Sequence, residues 1–232
     1  PFDDPRVRRA LAAALNRPEV CRTVFLGTRE TLYSIIPKGM LGHTEAFKEL
    51  GDANYALTKS LLAELGYNEN NKLPVELWYE SSGHYPMSAD QALMYKDSFE
   101  KSGVITVTLK AADWASYKKN RDAEIMPVFV YGWYPDYVDP DNYAFLYWAK
   151  WLHLNYENPE ILALYDKARA ITDPAERVRL YAEIDKIAVR DCPVVPLHQG
   201  LAWAVTKPDV EGIVLDITED MRYWLVYAEI PA

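Results

Sequence analysis

The period of the apolar positions changes along the chain, and each change marks an element. Val7, Leu11, Ala14 and Leu15 recur at helical spacing behind Asp4-Pro5, which predicts an amphipathic helix. Asp4 supplies the capping acceptor, and Pro5 fits the first helical position, where no N–H is needed. Arg6, Arg8 and Arg9 read as its solvated side. A short second helix is expected over 18–25, then a loop over 28–43 broken by Pro37, Gly39 and Gly42. Leu57, Leu61 and Leu65 predict a further helix that begins near Asn54 and stops at Gly66.

The period then drops to two. Val75, Leu77 and Tyr79 alternate as a strand, 89–101 reads as a helix, and Ile105, Val107 and Leu109 alternate again. Asp113 caps a helix expected to run to about Arg121. The run 126–131 is apolar without alternation, the pattern of a strand buried on both faces. Strand, helix, strand, helix, strand implies a parallel sheet with two right-handed crossovers. Such a sheet brings the loops 81–84 and 133–136 to one carboxyl edge, where ligands of open α/β sheets lodge. Beyond Tyr147 the pattern turns helical. Asn158-Pro159 opens one helix and Asp173-Pro174-Ala175-Glu176, a capping box, opens another. Short strands are predicted over 193–197, 201–205 and 223–228.

Chemistry concentrates just past the 126–131 run, where Gly132 gives way to Trp133, Tyr134, Pro135, Asp136 and Tyr137. Asp136 stands where a ligand of the sheet would be, flanked by rings that stack and carry polar tips. Seven Trp and seventeen Tyr suit recognition of small organic ligands, although most such rings fill cores. A net charge of -9 argues against nucleic acid and against an anionic membrane surface. No apolar run approaches bilayer-spanning length. The start Pro1-Phe2-Asp3-Asp4 has no leader pattern and reads as a cut within a longer chain. Cys21 and Cys192 stand apart with no metal spacing, so one disulfide and two buried thiols are both open.

Catalytic templates fit poorly. Ser81-Ser82-Gly83-His84 lacks the context of a nucleophile elbow. Asp136, Asp139 and Asp141 lack the spacing, glycine and terminal glutamate of a calcium loop. No phosphate loop or helical metal pair is present, and no cofactor is expected. Asp139-Pro140-Asp141-Asn142 reads first as a turn and helix cap. Pairing Asp136 with Asp141 or Glu80 as two glycosidase acids remains a weaker alternative.

Three stretches, in order, resemble the extracellular solute-binding proteins of ABC transporters, family 5. Phe2-Asp3-Asp4-Pro5-Arg6-Val7-Arg8-Arg9-Ala10-Leu11, followed by Ala14-Leu15-Asn16-Arg17, resembles FxDxRVRxALxxAIDR. The stretch from Gly132 to Tyr143 resembles GWxxDxxDPDNF, and Asp191-Cys192-Pro193-Val194-Val195-Pro196-Leu197 resembles DAPVVPL.

The resemblance implies an α/β, periplasmic-binding-protein-like type II lobe with a mostly parallel central sheet flanked by helices. Residues 1–200 are then the second, C-terminal lobe. Residues 201–232 are a returning segment that completes a first lobe absent from this chain.

The resemblance also implies a binding protein, not an enzyme, that works outside the cytoplasm, in the periplasm or as a cell-surface lipoprotein. Its partners would be a peptide or other small-molecule ligand, the missing N-terminal lobe and the membrane permease of an ABC importer. Asp136 would pair with a peptide's α-amino group, with Trp133, Tyr134 and Tyr137 as the wall and Ser82 and His84 facing them. In dipeptide binders an arginine in the loop after the lobe's first strand holds the ligand carboxylate; here that loop is Ser81-Ser82-Gly83-His84. A strict dipeptide is thereby disfavoured relative to longer peptides, other amines or an oligosaccharide.

Overall fold

Local capping chemistry sets most of the helix starts. The computed structural model describes residues 1–216 and 222–228. Asp4 accepts from the Arg6 amide at 2.8 Å and opens α1 (Pro5–Ala14), a cap worth about 1 kcal/mol. Asn16 caps α2 (Arg17–Thr23), and Asn54 caps α3 (Tyr55–Ala63). Between them lies β1 (Arg29–Thr31), a strand inside the predicted loop. It pairs antiparallel with His198–Gly200.

The middle of the chain is the expected alternation. β2 (Leu73–Glu80), α4 (Ser88–Glu100), β3 (Ile105–Ala112), α5 (Trp114–Asp122) and β4 (Val128–Phe129) follow in order. The sheet order is β3-β2-β4, all parallel, with Leu73 to Glu80 in register with Ile105 to Ala112. The chain leaves β2 for one side and returns on the other, so the switch point lies between the ends of β2 and β4. Leu73, Val75, Leu77, Ile105 and Val107 face a core shared with α1, α3 and α4.

The predicted burial of 126–131 on both faces is not met. Only Val128–Phe129 pairs, and 128–131 are half-buried. β4 has one neighbour, and Pro127 has no N–H to extend the ladder.

The second core is helical. α6 (Asp141–Ala144) leads through short turns to α7 (Pro159–Ala170), capped by Asn158, and α8 (Pro174–Asp191), capped by Asp173. The two long helices pack Ile161, Ala168, Leu180 and Ile184 against Phe47, Leu50 and Tyr147. The arginines of α1 are half-buried rather than solvated. Arg8 donates to the Asp191 carbonyl and to the Cys192 carbonyl at 3.2 Å, capping the end of α8; a cation is favoured at such a terminus. Both cysteines are free and buried.

The predicted strands of the C-terminal region largely fail. Residues 193–197 form no strand, since Pro193 and Pro196 lack donors and Cys192 turns the chain through φ 51°. The strand that follows is β5 (His198–Gly200). Residues 201–205 are exposed and form no strand, although the Leu201 amide donates to the Thr28 carbonyl at 3.3 Å, and Val205 is 98% accessible. Of 223–228, Tyr223–Leu225 is a 3-10 turn. Among the described residues, β7 (Tyr227–Ala228) pairs only with β6 (Val210–Glu211).

One buried charge gives a direct stability test. Asp185 on α8 is 1% exposed and accepts from Ser34 Oγ at 2.7 Å, Tyr147 OH at 2.8 Å and Thr44 Oγ1. No lysine or arginine bridges to it among the described residues. Burial pushes its carboxyl up, and the three hydroxyls only partly offset this. A raised carboxyl favours folding below its unfolded value near 4, and that contribution is lost as pH rises through the folded value. Asp185→Asn is therefore expected to hold or raise the Tm at pH 7 and to flatten its pH slope above about 4. Asp185→Ala leaves the hydroxyls unsatisfied, at about 1–3 kcal/mol each at most. Thermal melts across pH check this; equal destabilisation by both variants would contradict it.

Candidate functional site

The carboxyl end of β2 is organised by Glu80, whose residue surface is fully buried. Its carboxylate accepts from the Ser82 amide and hydroxyl, from the His84 amide at 2.9 Å and from the Tyr85 amide at 3.3 Å. Burial works against the charge, but these donors outweigh it and hold the carboxyl below its usual range. Loop 81–85 thus folds around one anion. Ser82 Oγ also accepts from the Trp114 amide at 3.1 Å, so this hydroxyl braces the start of α5. His84 is exposed and stacks on Trp114, ring centroids 3.7 Å apart.

The loop after β4 comes to meet it. The Tyr85 ring lies against Gly132, where an added Cβ would sit 2.8 Å from Tyr85 Cε1. Only glycine allows that approach. Tyr85 OH donates to the Gly132 carbonyl at 3.4 Å. The two loops placed together by the strand pattern are therefore in contact.

Asp136 is held from behind. Buried Asn142 accepts from Trp133 Nε1 at 3.0 Å and from the Asp136 amide at 3.1 Å, and its Nδ2 reaches Asp136 Oδ2 at 3.4 Å. The Asp136 side chain itself is exposed and forms no ion pair with a described lysine or arginine. Tyr134 and Tyr137 are also exposed, 56% and 49%, and Tyr137 OH donates to Asp141 Oδ2 at 3.1 Å.

The remaining acids of the stretch are structural. Burial works against the charge of Asp139, but the fork of Arg177, at 2.6 and 2.9 Å, outweighs it and holds the carboxyl low. Asp141 is buried, which raises its carboxyl, and it borders Arg169 at 3.4 Å. The turn-and-cap reading of 139–142 therefore holds, and Asn142 carries an added positioning role. Neither expected acid partner of Asp136 is free, because Glu80 is wrapped in donors and Asp141 lies under Tyr137. Among the described residues, no three His, Cys, Asp or Glu side chains are grouped to hold a metal, and no helix is long and apolar enough to cross a membrane.

The structure adds rings that the motif alone did not single out. Trp114 and Tyr85 join Tyr131 at 5.8 and 5.9 Å between centroids. Tyr131 meets Trp151 at 5.8 Å, and Trp151 meets Trp133 at 5.4 Å. Trp114 follows a helix cap at the same sheet edge, a place legible from the strand pattern. Trp151 comes from a turn with no such signal.

The model for bacterial extracellular solute-binding proteins, family 5, matches residues 1–151. The chain belongs to that family. Among its relatives, the probable deoxycholate-binding periplasmic protein YgiS of Escherichia coli is 28% identical across 96% of this chain and 42% of that protein. The dipeptide-binding protein of Escherichia coli is 27% identical across 93% of this chain and 41% of that protein. The chain thus spans about two fifths of the length of these relatives. HbpA2 of Haemophilus parasuis superposes with a TM-score of 0.84 at 22% identity, over 97% of this chain and 45% of that one. The fold of this family 5 chain is α/β, of the periplasmic-binding-protein type II kind. The two Escherichia coli relatives are named as binding proteins.

Proposed function

We propose that this chain is one wall of the ligand cleft in the substrate-binding component of an ABC importer, and that the ligand is a peptide. The observation that carries this is Asp136: an exposed carboxylate at the switch-point edge, fixed by Asn142, bordered by aromatics and left without a protein cation. A peptide ammonium enclosed in a cleft needs such a partner. Residues 1–200 form the lobe, and 201–232 return to a first lobe. The exposed Trp203, Val205, Tyr223 and Trp224 support that division, since apolar surface of this kind is usually covered. The dipeptide-binding relative supports the ligand class. Loop 81–84 offers no arginine for a carboxylate, which favours peptides longer than two residues. The protein works outside the cytoplasm and delivers its ligand to a membrane permease.

Calorimetric titration of the full-length protein, first lobe included, with tri- to pentapeptides and with oligosaccharides tests the reading. Peptide binding at micromolar affinity or tighter is expected, with this chain alone binding far more weakly. Saccharide binding with no peptide binding overturns it.

A further inference from the structure

The rings beside Asp136 are more than lining. Trp114, Tyr85, Tyr131, Trp151 and Trp133 touch in sequence, drawn from the loop after β2, the start of α5, the exit of β4 and the turn at 150–152. All five are half-buried, so each gives part of its surface to its neighbours and keeps part for solvent. Three of their five polar tips are committed inside the protein. Tyr85 OH donates to Gly132 O, Trp133 Nε1 donates to Asn142, and Tyr131 OH accepts from Arg121 Nη1 at 2.9 Å.

The protein side of the strip is also filled. Arg121 is 9% exposed, and its guanidinium sits 5.5 Å from the Tyr131 ring and 5.3 Å from the Trp151 ring. A salt bridge to Asp122 at 2.7 Å fixes it there. A cation on one face of a ring anchors that ring and leaves the other face for something else. His84 covers one face of Trp114, so what remains outward is chiefly the flat apolar surface of the other four rings.

We propose that these five rings act as one aromatic platform that takes a flat apolar group of the ligand, such as an aromatic side chain in the first residues of a bound peptide. The link to Asp136 is direct. Asn142 holds both Trp133 Nε1 and the Asp136 backbone, so an ammonium at Asp136 lies next to the end of the platform. This inference rests on the peptide reading for the ligand's identity, but the platform chemistry does not depend on it. A pyranose also stacks on aromatic faces, yet its hydroxyls need polar partners at the ring edges, and three of the five edges here are already bonded within the protein.

The test uses the full-length protein, three probes with a free amino terminus and one saccharide. Gly-Gly-Gly and Gly-Phe-Gly are titrated by calorimetry, then tryptamine, then maltotriose. Gly-Phe-Gly is expected to bind roughly tenfold or more tighter than Gly-Gly-Gly. Trp151→Leu and Trp114→Leu keep part of the apolar volume while removing the flat ring, and each is expected to erase most of that preference. Circular dichroism and melting confirm that the variants fold. Arg121→Met serves as a second variant, because loss of preference through misplaced rings is expected there too.

Equal affinity for the two peptides overturns the platform and leaves the peptide reading standing. Tryptamine binding that depends on Trp151, without peptide binding, keeps the platform and removes the peptide reading. Maltotriose binding lost with the same two substitutions overturns the apolar assignment, and binding of no probe overturns both.

Discussion

Asp136→Asn in the full-length protein is expected to weaken peptides with a free amino terminus by roughly ten- to a hundredfold. A hydrogen bond to a charged group contributes about 1.5–3 kcal/mol, and each 1.4 kcal/mol is about tenfold in affinity. Asparagine is nearly isosteric and keeps an oxygen for Asn142 Nδ2, now 3.4 Å from Asp136 Oδ2. The substitution therefore removes charge while leaving the backbone hold through the Asp136 amide intact. N-acetylated peptides carry no ammonium and are expected to lose little. Calorimetry with matched free and acetylated peptides separates the two, and equal loss for both ligand types would remove the amine role. Asp136 is exposed in this lobe, where water screens it. The full effect belongs to the closed cleft, so the same substitution is expected to change binding by the isolated lobe far less.

What the sequence made legible follows from how local each cause is. The caps at Asp4, Asn54, Asp113, Asn158 and Asp173 act within three residues, and all five start helices as expected. The parallel β2 and β3 are legible because Val75, Leu77 and Tyr79, and again Ile105, Val107 and Leu109, alternate with a period of two, whereas the order β3-β2-β4 is set by packing that no such pattern reports. The failures are places where a distant partner decides. A run such as 126–131 is apolar enough for a central strand, but it has one strand neighbour and a proline at its start. Stretches 193–197 and 201–205 have strand-like composition, but among the described residues only their ends next to β5 reach the β1 edge, Leu197 accepting from the Leu32 amide at 3.2 Å and the Leu201 amide donating to the Thr28 carbonyl at 3.3 Å.

The site divides the same way. Asp136 and Trp133 stand out from their position after a strand and from the family motif. The residues that hold them do not. Asn142 looks like any helix cap, and Arg121 like any residue of a basic last turn. Glu80 looks like the polar end of a strand, and only its four donors show that it shapes the loop. Ser82 was expected to face the ligand, and its hydroxyl instead serves Glu80 and Trp114. Whether a polar side chain is free or committed depends on contacts across the fold, which no spacing rule reports.

A large loss of stability is also expected from Arg17→Met. Arg17 is 1% exposed. Its Nε donates to the Pro196 carbonyl at 2.8 Å, and Nη1 donates to Asp52 Oδ1 at 2.8 Å and to the Gly51 carbonyl at 3.3 Å. Asp52 also accepts from Tyr33 OH, and the guanidinium lies 5.4 Å from the Tyr33 ring. One side chain thus joins the start of α2, the 33 and 51–52 segments and the exit of the chain toward β5. Methionine fills much of the volume but leaves Asp52 charged and short of its cation. Breaking a fully buried pair from one side costs about 3–5 kcal/mol; Asp52 keeps 18% side-chain exposure, so the lower end applies, roughly 6–12 °C in Tm for a domain of this size. Adding Asp52→Asn to Arg17→Met is expected to recover part of the loss, since the stranded charge goes with it. A single-variant melt within two degrees or so of the parent would show that the clamp matters little. On the proposed division of the chain into 1–200 and 201–232, Pro196 lies just before the chain leaves the lobe, and the same variant, in the full-length protein, is expected to lower peptide affinity without any contact to ligand. A stability loss with unchanged affinity would confine Arg17 to holding this lobe together.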